Sequence, residues 1–269
     1  MFEHNGHSDW QIWQDFVYMA SAALAQPVDF RQEREDEYLR IIGKYNTEEQ
    51  SRFPQMLGEI VEAFEQEKFA DILGELYSQL GMTNKWRGQF FTPYHISHMM
   101  AKMAVGNAQD VIDEKGYFSI NDPCCGGGAM LIAFAQSCME QNVNYQQSVL
   151  FTAQDIDPIV ARMCFIQMSL LGMPGSVIIG NSLTMDYENY DYWYTPMYFT
   201  DVWVQRRLCD AMMSLLCTEA PKESLNGEPS MEVVEVTPDI VFDESTKQAT
   251  YQQLGLFELN PEEIDELDG

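Results

Sequence analysis

Apolar and polar positions along the 269-residue chain repeat with two different periods, and the change between them falls near residue 83. In "SDWQIWQDFVYMASAALA" (8–25), Trp10, Trp13, Val17, Ala20 and Leu24 recur at three- and four-residue intervals, which predicts an amphipathic helix capped by Ser8 or Asp9. A second helical segment starts from Asp29 and runs through "EYLRIIGKY". Thr47 and Gln50 predict a capping box for a third, with an interruption or kink at Pro54 and Met56, Leu57, Ile60, Val61 and Phe64 on one face. "FADILGELYSQLG" (69–81) predicts a fourth, ending at Gly81. Residues 1–82 are thus expected to be a helical region, and nothing in their pattern points to chemistry.

Beyond residue 83 the period shortens. "GYFSIND" (116–122), "SVLFTAQD" (148–155) and "GSVIIGN" (175–181) are strand-like runs bounded by Gly, Asp or Pro. Between them lie "AMLIAFAQSCMEQ" and "PIVARMCFIQMSLLG", long and apolar enough to be buried helices. Alternating strands and helices predict βαβ crossovers, hence an α/β fold with a doubly wound parallel, Rossmann-like sheet whose ligand lies at the carboxyl ends of the strands. The last strand-like segment is followed by the helical "DVWVQRRLCDAMMSLLCTEA" and then by acidic sequence, so the sheet is expected to be truncated, closed by the tail, or completed by another chain. The domain division expected is 1–82 helical, 83–218 ligand-binding α/β, and 219–269 an acidic tail.

Charge changes this picture more than composition does. The formal net charge is −27, and residues 219–269 hold 14 acidic side chains against Lys222 and Lys247. Such a chain is repelled at long range by nucleic acid, itself a dense line of negative charge. Contact with DNA is therefore expected through a small patch, Lys85, Trp86 and Arg87 or Arg206 and Arg207, or through a basic partner. The tail has the composition of a solvated segment, although "MEVVEV" and "YQQLGLFEL" could dock as an edge strand or recognition segment. Six cysteines without a C-x-x-C pair imply reduced thiols rather than a disulfide scaffold. His95 and His98 lack partners for a metal set, so no metal is expected. No apolar run of about 18 residues and no signal-like amino terminus are present, from which a cytoplasmic location is expected.

The most informative stretch is "NDPCCGGGAML" (121–131), where a strand ends, Gly126, Gly127 and Gly128 make a turn, and a helix opens at once. Such a turn lets backbone approach a ligand while the helix amino terminus offers N–H groups to an anionic end. A dinucleotide fingerprint would need a third glycine where Leu131 stands, which disfavours a dinucleotide oxidoreductase. Asp155, at the tip of the second strand, is placed to accept two ribose hydroxyls, whereas Asp157 precedes Pro158 as a helix cap. Asn181 is either an adenine-pairing amide or a turn residue.

Asp122, Pro123, Cys125, Gly126 and Gly128 spell D-P-x-C-G-x-G, which resembles the S-adenosylmethionine loop of amino-group DNA methyltransferases. "GQFFTP" (Gly88 to Pro93, with Phe91 and Thr92) is similar to that family's amino-terminal cofactor segment, "AQDIDP" (153–158) to its second-strand acid, and "GNSL" (180–183) to its adenine-side segment. Order and spacing resemble type I modification subunits and their phage or mobile-element relatives over residues 10 to about 210. The resemblance implies S-adenosylmethionine as cofactor, methyl transfer to N6 of an adenine flipped out of DNA, and a specificity or other protein subunit as partner, with a homo-oligomer also compatible.

That family carries (Asn/Asp/Ser)-Pro-Pro-(Tyr/Phe/Trp) after its fourth strand, and this chain contains no Pro-Pro. In "YDYWYTPMYF" (190–199), Thr195, Pro196 and Tyr198 stand where the tetrapeptide is expected. Two readings follow. One is an adenine-N6 methyltransferase, weakly active or dependent on a partner; the other is a cofactor-binding pseudoenzyme with a regulatory role, such as opposing restriction, its tail mimicking DNA.

Overall fold

Side-chain caps fix where the helices begin. The computed structural model describes residues 6–82, 91–106, 108–184, 189–200 and 202–209. The Ser8 hydroxyl accepts the Gln11 N–H at 3.2 Å and opens α1 (Asp9–Ala25). After α2 (Gln32–Ile42), the capping box of α3 (Thr47–Gln66) forms one residue earlier than Thr47 and Gln50 predict: Asn46 accepts the Glu49 N–H and Glu49 accepts the Asn46 N–H, each at 3.0 Å. Asn is the stronger cap, and a carboxylate in the first turn also meets the positive end of the helix dipole. The helix continues through Pro54 without interruption. Asp71 caps α4 (Ile72–Gln79), which closes in a Schellman turn: Gly81 takes φ 68° and the Met82 N–H reaches the Tyr77 carbonyl at 3.1 Å.

The remaining helices are α5 (Tyr94–Val105), α6 (Ala108–Lys115), α7 (Ala129–Glu140), α8 (Tyr145–Ser148), α9 (Pro158–Leu170) and α10 (202–209). Among the described residues no helix is long and apolar enough to cross a membrane. The sheet has the order β1 (Phe118–Asp122), β2 (Val149–Asp155), β3 (Gly175–Ile179), β4 (Asp191–Tyr194). The first three strands run parallel, as expected, and β4 runs antiparallel to β3, with Ile179 opposite Asp191 and Ser176 opposite Tyr194. This reversal decides where everything after β4 can go.

One face of the sheet carries Val149, Phe151, Val177 and Trp193, all buried, with Phe118 beside them. Phe118 packs on Phe134 of α7, and Trp193 meets Phe165 of α9 and Tyr18 of α1. The opposite face, including Ser119, Asn121, Leu150, Thr152 and Ile178, is only half-covered among the described residues. Two right-handed crossovers that both step outward from β1 put α7 and α9 on the same side; winding the second side needs a connection that turns back past β1. The described residues contain none.

The amino-terminal helices share this core. The Arg34 guanidinium stacks on Trp193 at 3.8 Å, pairs with Asp29 at 2.9 Å and donates to the Tyr192 carbonyl at 2.6 Å, so α2 is clamped to the edge strand β4.

Candidate cofactor site

Strand β1 delivers the chain to the glycine turn, and the turn is held by backbone bonds that begin in the neighbouring strand. Asp122 ends β1 and accepts the Cys124 N–H at 3.1 Å, starting the bend. The Cys125 N–H bonds to the Gln154 carbonyl at 2.9 Å, the Gly126 N–H to Asp155 Oδ2 at 2.9 Å, and the Gly128 N–H to the Cys125 carbonyl at 2.8 Å. Gly126 and Gly128 take φ 52° and 100°, conformations that favour glycine, and Gly128 is the cap of α7. Two of the three glycine amides therefore serve the protein itself. Among the described residues the Gly127 N–H and the first-turn amides of α7 have no partner and can meet an anionic group.

Asp155 is at the tip of β2. Its Oδ1 accepts the Asp157 N–H at 2.9 Å, so each carboxylate oxygen is anchored by one amide and keeps a further lone pair. Asp157 caps α9 by accepting the Ile159 N–H at 2.9 Å. Asn181 follows β3 on the neighbouring tip, where the Gly180 N–H bonds to the Asp155 carbonyl at 3.0 Å. Its side-chain oxygen accepts the Leu183 N–H at 3.0 Å, a turn-making role that leaves the NH2 group and one oxygen lone pair for a ligand. Burial raises the Asp122 carboxyl above the usual carboxylate range; the Cys124 N–H opposes this and the Asp155 charge adds to it. A hydrogen bond with the Cys164 thiol, and then burial, hold the Cys125 thiol well above its ordinary value, so it stays protonated packing material.

Phe91, Thr92 and Pro93 approach from the other side. A Cβ on Gly126 would lie 3.2 Å from the Phe91 ring, tighter than ordinary contact, so glycine lets that ring lie directly against the turn. The three residues line a cleft of about 240 Å³ together with Asp71, Gly74 and Tyr94. Gly88, and the patch of Lys85, Trp86 and Arg87, lie outside the described residues, as does the acidic tail from residue 219.

Thr195, Pro196 and Tyr198 are not brought to this edge. Because β4 runs antiparallel, Tyr194 ends beside Ser176 at the start of β3, at the end of the sheet opposite the glycine turn. Thr195 is fully buried there, donating to the Met173 carbonyl at 2.7 Å and accepting the Gly175 N–H at 3.0 Å. Pro196 opens a 3-10 turn (Pro196–Phe199), and Tyr198 stacks on Tyr194 at 5.2 Å under the Arg207 guanidinium. The expectation puts these residues beside the cofactor loop, whereas the antiparallel direction of β4 puts them at the opposite end of the sheet. Arg206 is likewise occupied, donating to the Gly116 carbonyl at 2.9 Å.

Sequence reasoning missed residues supplied by the helices. Asp71 is 4% exposed and Gln167 fully buried, and both touch the glycine turn. Tyr77, also fully buried beside Phe91 at 5.7 Å, has a hydroxyl without a hydrogen-bond partner among the described residues, and burial pushes it up to about 12. The only signal for Asp71 was an Asp cap followed by glycine in "DILG", which says nothing about a long-range partner. Among the described residues no three His, Cys, Asp or Glu side chains gather to hold a metal ion.

The profile of the N-6 DNA methylase family matches residues 67–221, more than half of the chain. No curated protein matches it. Among solved structures, the chain is similar to a protein from Listeria monocytogenes assigned to the class I S-adenosylmethionine-dependent methyltransferases, at 19% identity and a TM-score of 0.33 over 64% of this chain and 54% of that one. It is also similar to the methyltransferase subunit of a type I restriction-modification system from Streptococcus thermophilus, at 16% identity and a TM-score of 0.30 over 64% of this chain and 41% of that one. The chain thus spans about half of the first and about two-fifths of the second.

Proposed function

Because the chain belongs to the N-6 DNA methylase family, we propose that it binds S-adenosylmethionine at the carboxyl edge of β1, β2 and β3, as the cofactor-holding part of a DNA adenine-N6 methyltransferase. The observation that carries this reading is the 2.9 Å bond from the Gly126 N–H to Asp155, which ties the glycine turn to the acid of the next strand in one rigid cradle. The donor set suits the ligand. Asp155 retains lone pairs for two ribose hydroxyls, the amides of Gly127 and of the first turn of α7 suit a carboxylate, and Asp122 suits an ammonium group. Phe91 lies against the turn at Gly126. When bound, S-adenosylmethionine supplies an electrophilic methyl group on its sulfonium.

Base handling is not assigned to Thr195, Pro196 and Tyr198, which face the other end of the sheet. This favours transfer that depends on acceptor groups from a specificity or other subunit, and it equally supports the second reading, a cofactor-binding protein with a regulatory role. Calorimetry on the intact chain separates these. S-adenosylmethionine is expected to bind, and Asp155→Ala, which loses two charge-assisted bonds, to weaken it by roughly a hundredfold. Methyl incorporation into unmethylated DNA is then measured with the chain alone and with candidate specificity subunits. Binding without incorporation in any combination leaves the regulatory reading, and no binding overturns both.

A further inference from the structure

We infer that Asp71, acting through Gln167, is a positioning residue for the glycine turn, so that the amino-terminal helical region is part of the cofactor site; this rests on the cofactor reading above. Gln167 stands on α9 with its side-chain amide fully used. Its oxygen accepts the Leu73 N–H at 3.0 Å, and its nitrogen donates to Asp71 Oδ1 at 2.8 Å and to the Gly127 carbonyl at 2.6 Å. The amide orientation is dictated by this set, since one end meets an N–H and the other meets two oxygens. Asp71 Oδ1 also accepts the Gly74 N–H at 3.0 Å. One buried amide therefore joins the start of α4 to the loop.

The carboxylate occupies a slot between two glycines. A Cβ on Gly127 would lie 3.1 Å from Asp71 Oδ1, and one on Gly74 would lie 2.1 Å from Oδ2. The peptide unit between Gly127 and Gly128 is then fixed at both ends, its oxygen by Gln167 and its N–H by the Cys125 carbonyl. The unit before Gly126 is fixed by Asp155. The Gly127 N–H between these two anchored units is left free in a set orientation. Such preorganisation lowers the ordering cost that a ligand's amino-acid end would otherwise meet. Among the described residues the hydrogen bonds of Asp71 all fall on Oδ1, and Asp71 lines the cleft with Phe91, Thr92 and Pro93.

The test compares two probes on the intact chain by calorimetry: S-adenosylmethionine, and 5′-methylthioadenosine, which lacks the amino-acid end. Gln167→Leu and Asp71→Ala are expected to weaken S-adenosylmethionine at least roughly tenfold, as loss of buried hydrogen bonds does, while 5′-methylthioadenosine changes less than about threefold. Asp71→Asn keeps the Oδ1 acceptor and is expected to restore the ratio of the two affinities. Gly127→Ala, which crowds the slot without deleting a polar group, serves where the larger changes prevent folding and should show the same selective loss. If these variants lower the melting temperature yet leave the affinity ratio unchanged, the positioning role is overturned and the cofactor reading stands. If the unaltered chain binds neither probe, the cofactor reading fails and this inference fails with it.

Discussion

At the scale of single residues, Asp71 and Thr195 show that chemical type and role are separable. Both are buried polar groups, and one touches the glycine turn while the other packs at the far end of the sheet. Burial holds the Asp71 carboxyl above its ordinary range. A raised acid value means that the stability this group contributes is fully present below the unfolded value and is lost as the pH rises through the folded one. Asp71→Asn, permanently neutral, is therefore expected to gain stability relative to the unaltered chain as the pH rises above about 4, and to converge with it below; urea midpoints across that range measure this, and a difference that shrinks as the pH rises contradicts it. Thr195→Val strands the Gly175 N–H and the Met173 carbonyl and should cost about 1–3 kcal/mol, with cofactor affinity unchanged. A matching loss of affinity would return Thr195 to the site.

At the scale of elements, the two βαβ units were legible and the fourth strand was not. Val149, Phe151 and Ala153 on β2, and the largely apolar α9, are buried because parallel strands are covered by their crossover helices, and that burial is written in the hydrophobic pattern. The short run "DYWY" carries no mark of direction. Its antiparallel placement is secured by tertiary contacts, chiefly Arg34 on Trp193 and the Tyr192 carbonyl. Arg34→Ala should destabilise the chain by about 2–4 kcal/mol, because it removes a buried cation stacked on Trp193 and leaves Asp29 only its longer 3.5 Å contact with Arg31. Denaturation read by tryptophan fluorescence checks the loss; a cost within about 0.5 kcal/mol, typical of surface sites, would refute the clamp.

At the scale of the molecule, the helical region and the sheet share one buried cluster that includes Phe16, Leu73, Phe151 and Trp193, so cofactor binding should be felt through the whole of it. Saturation at about a hundred times the dissociation constant adds about 2.7 kcal/mol. In a fold of this size that raises the melting temperature by about 5–10 °C. S-adenosylmethionine is expected to give this shift and the Asp155→Ala variant to lose most of it. A net charge of −27 also makes tight DNA binding by the chain alone unfavourable at long range.

The sequence by itself determined the glycine turn, the acid on the next strand and the alternation of strand and helix, because each depends on local conformational preference or on a period of apolar residues. Asp122, Gly126, Gly128 and Asp155 meet at one edge for that reason, since consecutive parallel strands must present their carboxyl ends together. Only the tertiary structure decided the direction of β4, the half-covered face of the sheet and the bonds from Asp71 and Gln167 to the loop. Those depend on contacts between residues as far as 158 positions apart, such as Arg34 with Tyr192, and no local period encodes which distant surface a side chain will meet.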